Sequence, residues 1–124
     1  MPRVVHFELA AADVARAQSV YEDIFGWKFD KWEGGEPYWL ITTGDDPMGI
    51  NGGMMVRSEG YPNAVNTIGV ADVDAVVKAV VDHGGAVASP KVAITGMGYL
   101  AYLTDTEGNL FGVMAPDPTA VYQP

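Results

Sequence analysis

"HFELAAADVARAQSVYEDIFGW", residues 6–27, reads as a strand that runs into a helix and stops at a glycine. Residues 3–9 form the expected strand. His6 and Glu8 stand two apart in it, so both side chains point to one side of a sheet. Asp13 has the short acceptor side chain of a helix N-cap. Val14, Ala17, Tyr21, Ile24 and Phe25 follow at helical spacing and predict one buried stripe. Gly26 suits the left-handed turn that ends a helix.

Working outward, "WKFDKW" (27–32) and "PYWLITTG" (37–44) predict two strands around the turn "EGGE". The loop "DDPMGING" leads into a fourth strand, "GGMMVR" (52–57). The pattern then restarts at an offset of 59 residues: Asp72 repeats Asp13, Val73 repeats Val14, Val80 repeats Tyr21 and Gly85 repeats Gly26. Gly112 and Met114 likewise repeat Gly53 and Met55. Residues 65–70 predict the restarting strand. Val73, Val76, Val77, Val80 and Val81 predict a second buried stripe, which "HGG" (83–85) ends. Strands follow at 86–94, 99–104 and 110–115, with Pro90 marking a bulge or edge position.

Each half is therefore strand–helix–strand–strand–strand. The expected organisation is one α+β domain over residues 1–124. Module 1 covers 1–57, the Gly- and Pro-bearing linker "SEGYPNA" covers 58–64, module 2 covers 65–117, and a tail covers 118–124. A four-stranded sheet with one covering helix leaves a face bare. Two copies are expected to curve together so that their sheets enclose one shared cavity.

Composition narrows the function. Of 124 residues, 48% are hydrophobic, enough for a substantial core. The formal net charge of −9, with seven scattered Lys and Arg, opposes nucleic acid and anionic membrane partners. With no cysteine there is no disulfide framework, thiolate metal site or cysteine nucleophile. The longest apolar stretch, "AVVKAVV" (75–81), is too short to span a bilayer. "MPRVVHF" lacks the layout of a signal peptide, so a cytoplasmic location is expected.

The paired modules resemble the vicinal oxygen chelate superfamily, which contains glyoxalase I, the bleomycin-resistance proteins and the extradiol dioxygenases. "HFEL", "DVARAQSVYEDIFGW", "INGGM" (50–54), "VADVDAVVKAVVDHGGAV" (70–87) and "DTEGNLFGV" (105–113) carry the resemblance over nearly the whole chain. It implies a homodimer and a small-molecule ligand. It also implies four metal-ligand positions, on the first and last strand of each module. In this sequence they fall on His6, Gly53, Val65 and Gly112. One imidazole among Gly, Val and Gly cannot hold a divalent ion. The expected site is thus a degenerate one with no resident metal or other cofactor. A divalent metal would need an atypical set completed by a loop carboxylate such as Asp45, Asp46 or Glu36.

His6 and Glu8 remain the candidate acid/base pair, since a carboxylate near an imidazole tunes its charge. Contact with a ligand and a purely structural polar pair are the alternatives. Trp39, Met54, Thr67, Tyr102 and Met114 are the candidate ligand-binding residues, aromatic, apolar or hydroxyl groups on strands that would line a cavity wall. His83, in the last turn of the second helix, reads as a solvated group favoured by the helix dipole. Ser19, Ser58 and Ser89 show no partner set for nucleophilic hydrolysis.

Three function classes follow. The leading one is a glyoxalase-like small-molecule binder, or a divergent metal-independent enzyme using His6 and Glu8. The second is a metal-dependent lyase, isomerase or dioxygenase with an atypical site around His6. The third is an interaction module with a vestigial pocket.

Overall fold

A computed structural model describes residues 2–124. The elements run β1 (Arg3–Ala11), α1 (Val14–Phe25), β2 (Lys28–Lys31), β3 (Tyr38–Thr42), β4 (Gly52–Val56), β5 (Ala64–Gly69), α2 (Val73–Asp82), β6 (Ala86–Ile94), β7 (Gly98–Thr104) and β8 (Leu110–Pro116). This is the expected α+β architecture of two tandem βαβββ modules. Val5–Val65 forms one compact unit, and Asn66–Pro124 with residues 2–4 forms the other.

In the first module β2 pairs antiparallel with β3, β3 antiparallel with β4, and β4 parallel with β1. Asp13 caps α1 by accepting from the Arg16 N–H at 3.0 Å. Gly26 closes the helix at φ 73°, a conformation open to glycine at little cost. Val14 is buried with Ala11, Ile41 and Met54, and Ala17, Tyr21, Trp27, Phe29 and Trp39 pack around them. The Tyr21 and Trp27 rings stack at 5.0 Å.

The second module repeats the plan. β6 pairs antiparallel with β7, β7 antiparallel with β8, and β8 parallel with β5. Asp72 caps α2 through the Ala75 N–H at 3.1 Å. Val73 is buried with Val70, Ala101, Leu103, Val113 and Ala115, and Val76, Val77 and Val80 pack against them. The β6–β7 ladder shifts register between Val87 and Ser89 and again between Ser89 and Val92. Pro90 lies in the second irregularity, as expected of a residue with no N–H to give a ladder.

Both helical stripes are narrower than their spacing predicts. Ile24, Phe25 and Val81 are 67%, 61% and 47% exposed. Val81 lies about 80° round the helix from Val73, at the margin of the buried face. Phe25 is on the correct side but in the last turn. There it touches the rims of Tyr21 and Trp27 and leaves its outer face to water. Among the described residues, no helix is long and apolar enough to cross a membrane.

Candidate functional site

Strand register decides which side chains meet in the first module. Phe7 and Leu9 pack with α1, so alternation turns His6 and Glu8 to the opposite face. Glu8 stands beside Gly53 across the parallel β1–β4 pair. Across the antiparallel β3–β4 pair, Tyr38 faces Met55 and Leu40 faces Gly53. Tyr38 therefore shares the face of His6 and Glu8, one strand beyond the glycine. A Cβ on Gly53 would collide with the Tyr38 phenol, so the bare glycine is what lets that ring lie over β4 toward β1.

The Tyr38 hydroxyl donates to Glu8 Oε2 at 2.8 Å and lies 2.8 Å from His6 Nε2. Tyr61, delivered by the segment between β4 and β5, donates to Glu8 Oε1 at 3.2 Å. Both carboxylate oxygens thus accept from phenols, which explains how a residue only 6% exposed carries a charge. A hydroxyl has one proton. With that proton on Glu8, Nε2 of His6 must be the donor to Tyr38, and Nδ1 keeps its lone pair. Among the described residues no hydrogen bond reaches Nδ1, and no buried side-chain N or O lacks a partner. Nδ1 therefore has no protein partner among the described residues and is not wholly buried.

Burial holds the His6 imidazole below its ordinary value of 6.5, against an opposing pull from Glu8. Burial, then the Glu8 charge and hydrogen bond, push the Tyr38 phenol above its ordinary 10.0. At neutral pH the imidazole is therefore neutral and the phenol protonated.

A sequence model of the Glyoxalase/Bleomycin resistance protein/Dioxygenase superfamily matches residues 3–113. The chain belongs to the glyoxalase/bleomycin resistance protein/dioxygenase superfamily. CFP32 of Mycobacterium bovis, whose name makes it a candidate glyoxylase, is 34% identical over 111 residues, or 86% of this chain and 42% of that protein. The chain thus spans well under half the length of that relative. A glyoxylase-like domain-containing protein of Didymella fabae is 32% identical over 112 residues, covering 86% of this chain and 88% of that one. The crystal structure of methylmalonyl-CoA epimerase from Mycobacterium tuberculosis superposes with a TM-score of 0.64 at 18% identity, over 93% of this chain and 88% of that one. At that identity the likeness is one of fold.

The superfamily's metal enzymes make the ligand positions worth testing residue by residue. His6 turns Nε2 to a phenol. Gly53 and Gly112 carry no donor, and Val65 is a buried hydrocarbon, 3% exposed. Among the described residues no three His, Cys, Asp or Glu groups come close enough to hold an ion. This donor set does not fit a divalent metal.

The other candidates divide between the modules. Trp39 and Met54 are not with His6 and Glu8. They pair with one another across β3 and β4 and sit in the core with α1, where Met54 is 1% exposed. Their neighbours Tyr38 and Met55, one place along each strand, are the residues that share the His6 face. Thr67, Tyr102 and Met114 are in the second module. The core beside α2 takes Ile68, Ala101, Leu103 and Val113, so alternation turns these three away from that helix. Thr67 and Tyr102 flank Gly112 on its two neighbouring strands. His83 is exposed and bonds the Ala79 carbonyl through Nδ1 at 2.7 Å, as expected for a solvated terminus. It also lines an apolar groove of about 310 Å³ between α2 and Phe111.

The roles of Tyr38 and Tyr61 are not among the candidates the sequence offers. The signal for Tyr38 was a glycine opposite a charged strand residue, which makes room for a side chain from the next strand. Tyr61 gave none, because its position depends on how the 58–64 segment returns past β1.

Proposed function

We propose that this chain binds a small polar organic molecule on the His6–Tyr38–Glu8 face of its first module, without a resident metal. The observation that carries the reading is the open Nδ1 of a neutral imidazole whose other nitrogen is already engaged. Such a nitrogen takes a hydrogen-bond donor, a hydroxyl or an N–H, in preference to a bare anion. It is also suited to accept a proton, and Glu8, linked through Tyr38, would favour the imidazolium so formed. No observation favours the metal-dependent reading. The superfamily resemblance supports a homodimer, which sedimentation equilibrium tests.

The test is a thermal-shift screen of small metabolites that includes matched amides and carboxylates. Hits are then titrated against wild type, His6→Gln and Glu8→Gln. Donor-bearing hits should predominate. Each substitution should weaken binding by roughly two- to tenfold, the loss of about 0.5–1.5 kcal/mol expected for a hydrogen bond between neutral groups. Equal affinities for all three proteins would return His6 and Glu8 to a structural role.

A further inference from the structure

Tyr38 does more than pack. Its hydroxyl lies between the two ionisable groups of the face, 2.8 Å from each. The ring is held from outside by Trp32, which stands edge-on at 6.2 Å and 77°. The Tyr38 carbonyl is tied to the Trp32 N–H at 2.8 Å. The ring's position depends on Gly53, where any side chain would displace it.

The second module offers an internal comparison. Thr67 stands beside Gly112 as Glu8 stands beside Gly53, and Leu100 faces Met114 as Tyr38 faces Met55. Val65 takes the place of His6 in the repeat. The glycine recurs, and a phenol, Tyr102, stands beside it one register pair along, but the imidazole and the carboxylate do not recur. The three polar groups occur together in one module only, as expected if each depends on the others.

We infer that Tyr38 is the positioning residue of this site: its hydroxyl holds His6 as the Nε2–H tautomer, with Nδ1 presented to the ligand, and Gly53 is the vacancy that seats it. The tautomer stands independently of any ligand. Its use in binding rests on the proposed function above.

The experiment is heteronuclear NMR on protein labelled with ¹⁵N-histidine at neutral pH, with His83→Gln assigning the only other histidine. Wild type should show one His6 tautomer, with a protonated Nε2, a bare Nδ1 and an Nε2–H proton slow enough to observe. Tyr38→Phe should lose that proton signal and move the two nitrogen shifts toward each other as the tautomers mix. Gly53→Ala should do the same with Tyr38 still in the chain, because its Cβ forces the phenol away. A protonated Nδ1 in wild type overturns the inference, and so does a Tyr38→Phe spectrum identical to wild type. If Tyr38→Phe does not fold, the wild-type spectrum and Gly53→Ala decide. The expected tautomers with no ligand from the screen would leave Tyr38 in its positioning role and sink the binding proposal alone. A ligand that depends on His6 in a protein with mixed tautomers would do the reverse.

Discussion

His6 is a neutral imidazole because burial outweighs the carboxylate two residues along its strand. That balance has a consequence for stability. As pH falls below the ordinary value of 6.5, the unfolded chain takes up a proton before the folded one does. The contribution of His6 is therefore complete above that value. It is lost as pH descends toward the lower folded-state value, with a slope of at most about 1.4 kcal/mol per pH unit for one proton. Urea unfolding of wild type and His6→Gln across this window isolates the effect, since other groups titrate alike in both. The two profiles should keep a constant separation at neutral pH and change it in acid, where wild type falls more steeply. Parallel profiles would mean that His6 is as easily protonated folded as unfolded. Tyr61 tests the carboxylate from its other side. Tyr61→Phe removes a donor from a buried charge and should cost about 1–3 kcal/mol in the same unfolding measurement. No loss would show that water replaces the phenol at no cost.

At the scale of elements, each helix is positioned by an aspartate cap and a short run of side chains, and the buried face is narrow. Val80 packs on the second core, whereas Val81 beside it is 47% exposed. Val80→Asp should lower stability by about 2 kcal/mol or more, because it sets an unpaired charge against packed hydrocarbon. Val81→Asp should stay within about 0.5 kcal/mol of wild type. Thermal melts of the two variants check both, and similar melting temperatures would mean the helix is rotated from the face described. The strands carry the same lesson at finer spacing. On β4 the choice between Met54 and Met55 is a choice between core and site face, since a shift of one residue turns a side chain to the other side.

At the scale of the molecule, two modules of one plan have divided their chemistry. The first carries imidazole, carboxylate and phenols on the face turned from its helix. The second carries Val65, Thr67 and Leu100 at the corresponding places. Without donors at Gly53, Val65 and Gly112, the chain should purify with far less than one transition-metal ion per chain when none is added. Elemental analysis checks this, and an ion near stoichiometry that disappears in His6→Ala would overturn it.

The sequence by itself determined the repeat, the α+β order of elements, both aspartate caps and the pairing of His6 with Glu8 on one face. All of these depend on periodicities of two and 3.6 residues or on a side chain bonding its own backbone, so they are local. It also exposed the poverty of the metal positions, because a glycine or valine is no ligand wherever it lies. Only the tertiary structure decided that Tyr38 and Tyr61, 30 and 53 residues from Glu8, close on its two oxygens. It alone decided that Trp39 and Met54 belong to the core, and that Ile24, Phe25 and Val81 remain in water. Those outcomes depend on the register between strands and on where a helix overhangs its sheet, and no single segment carries that information.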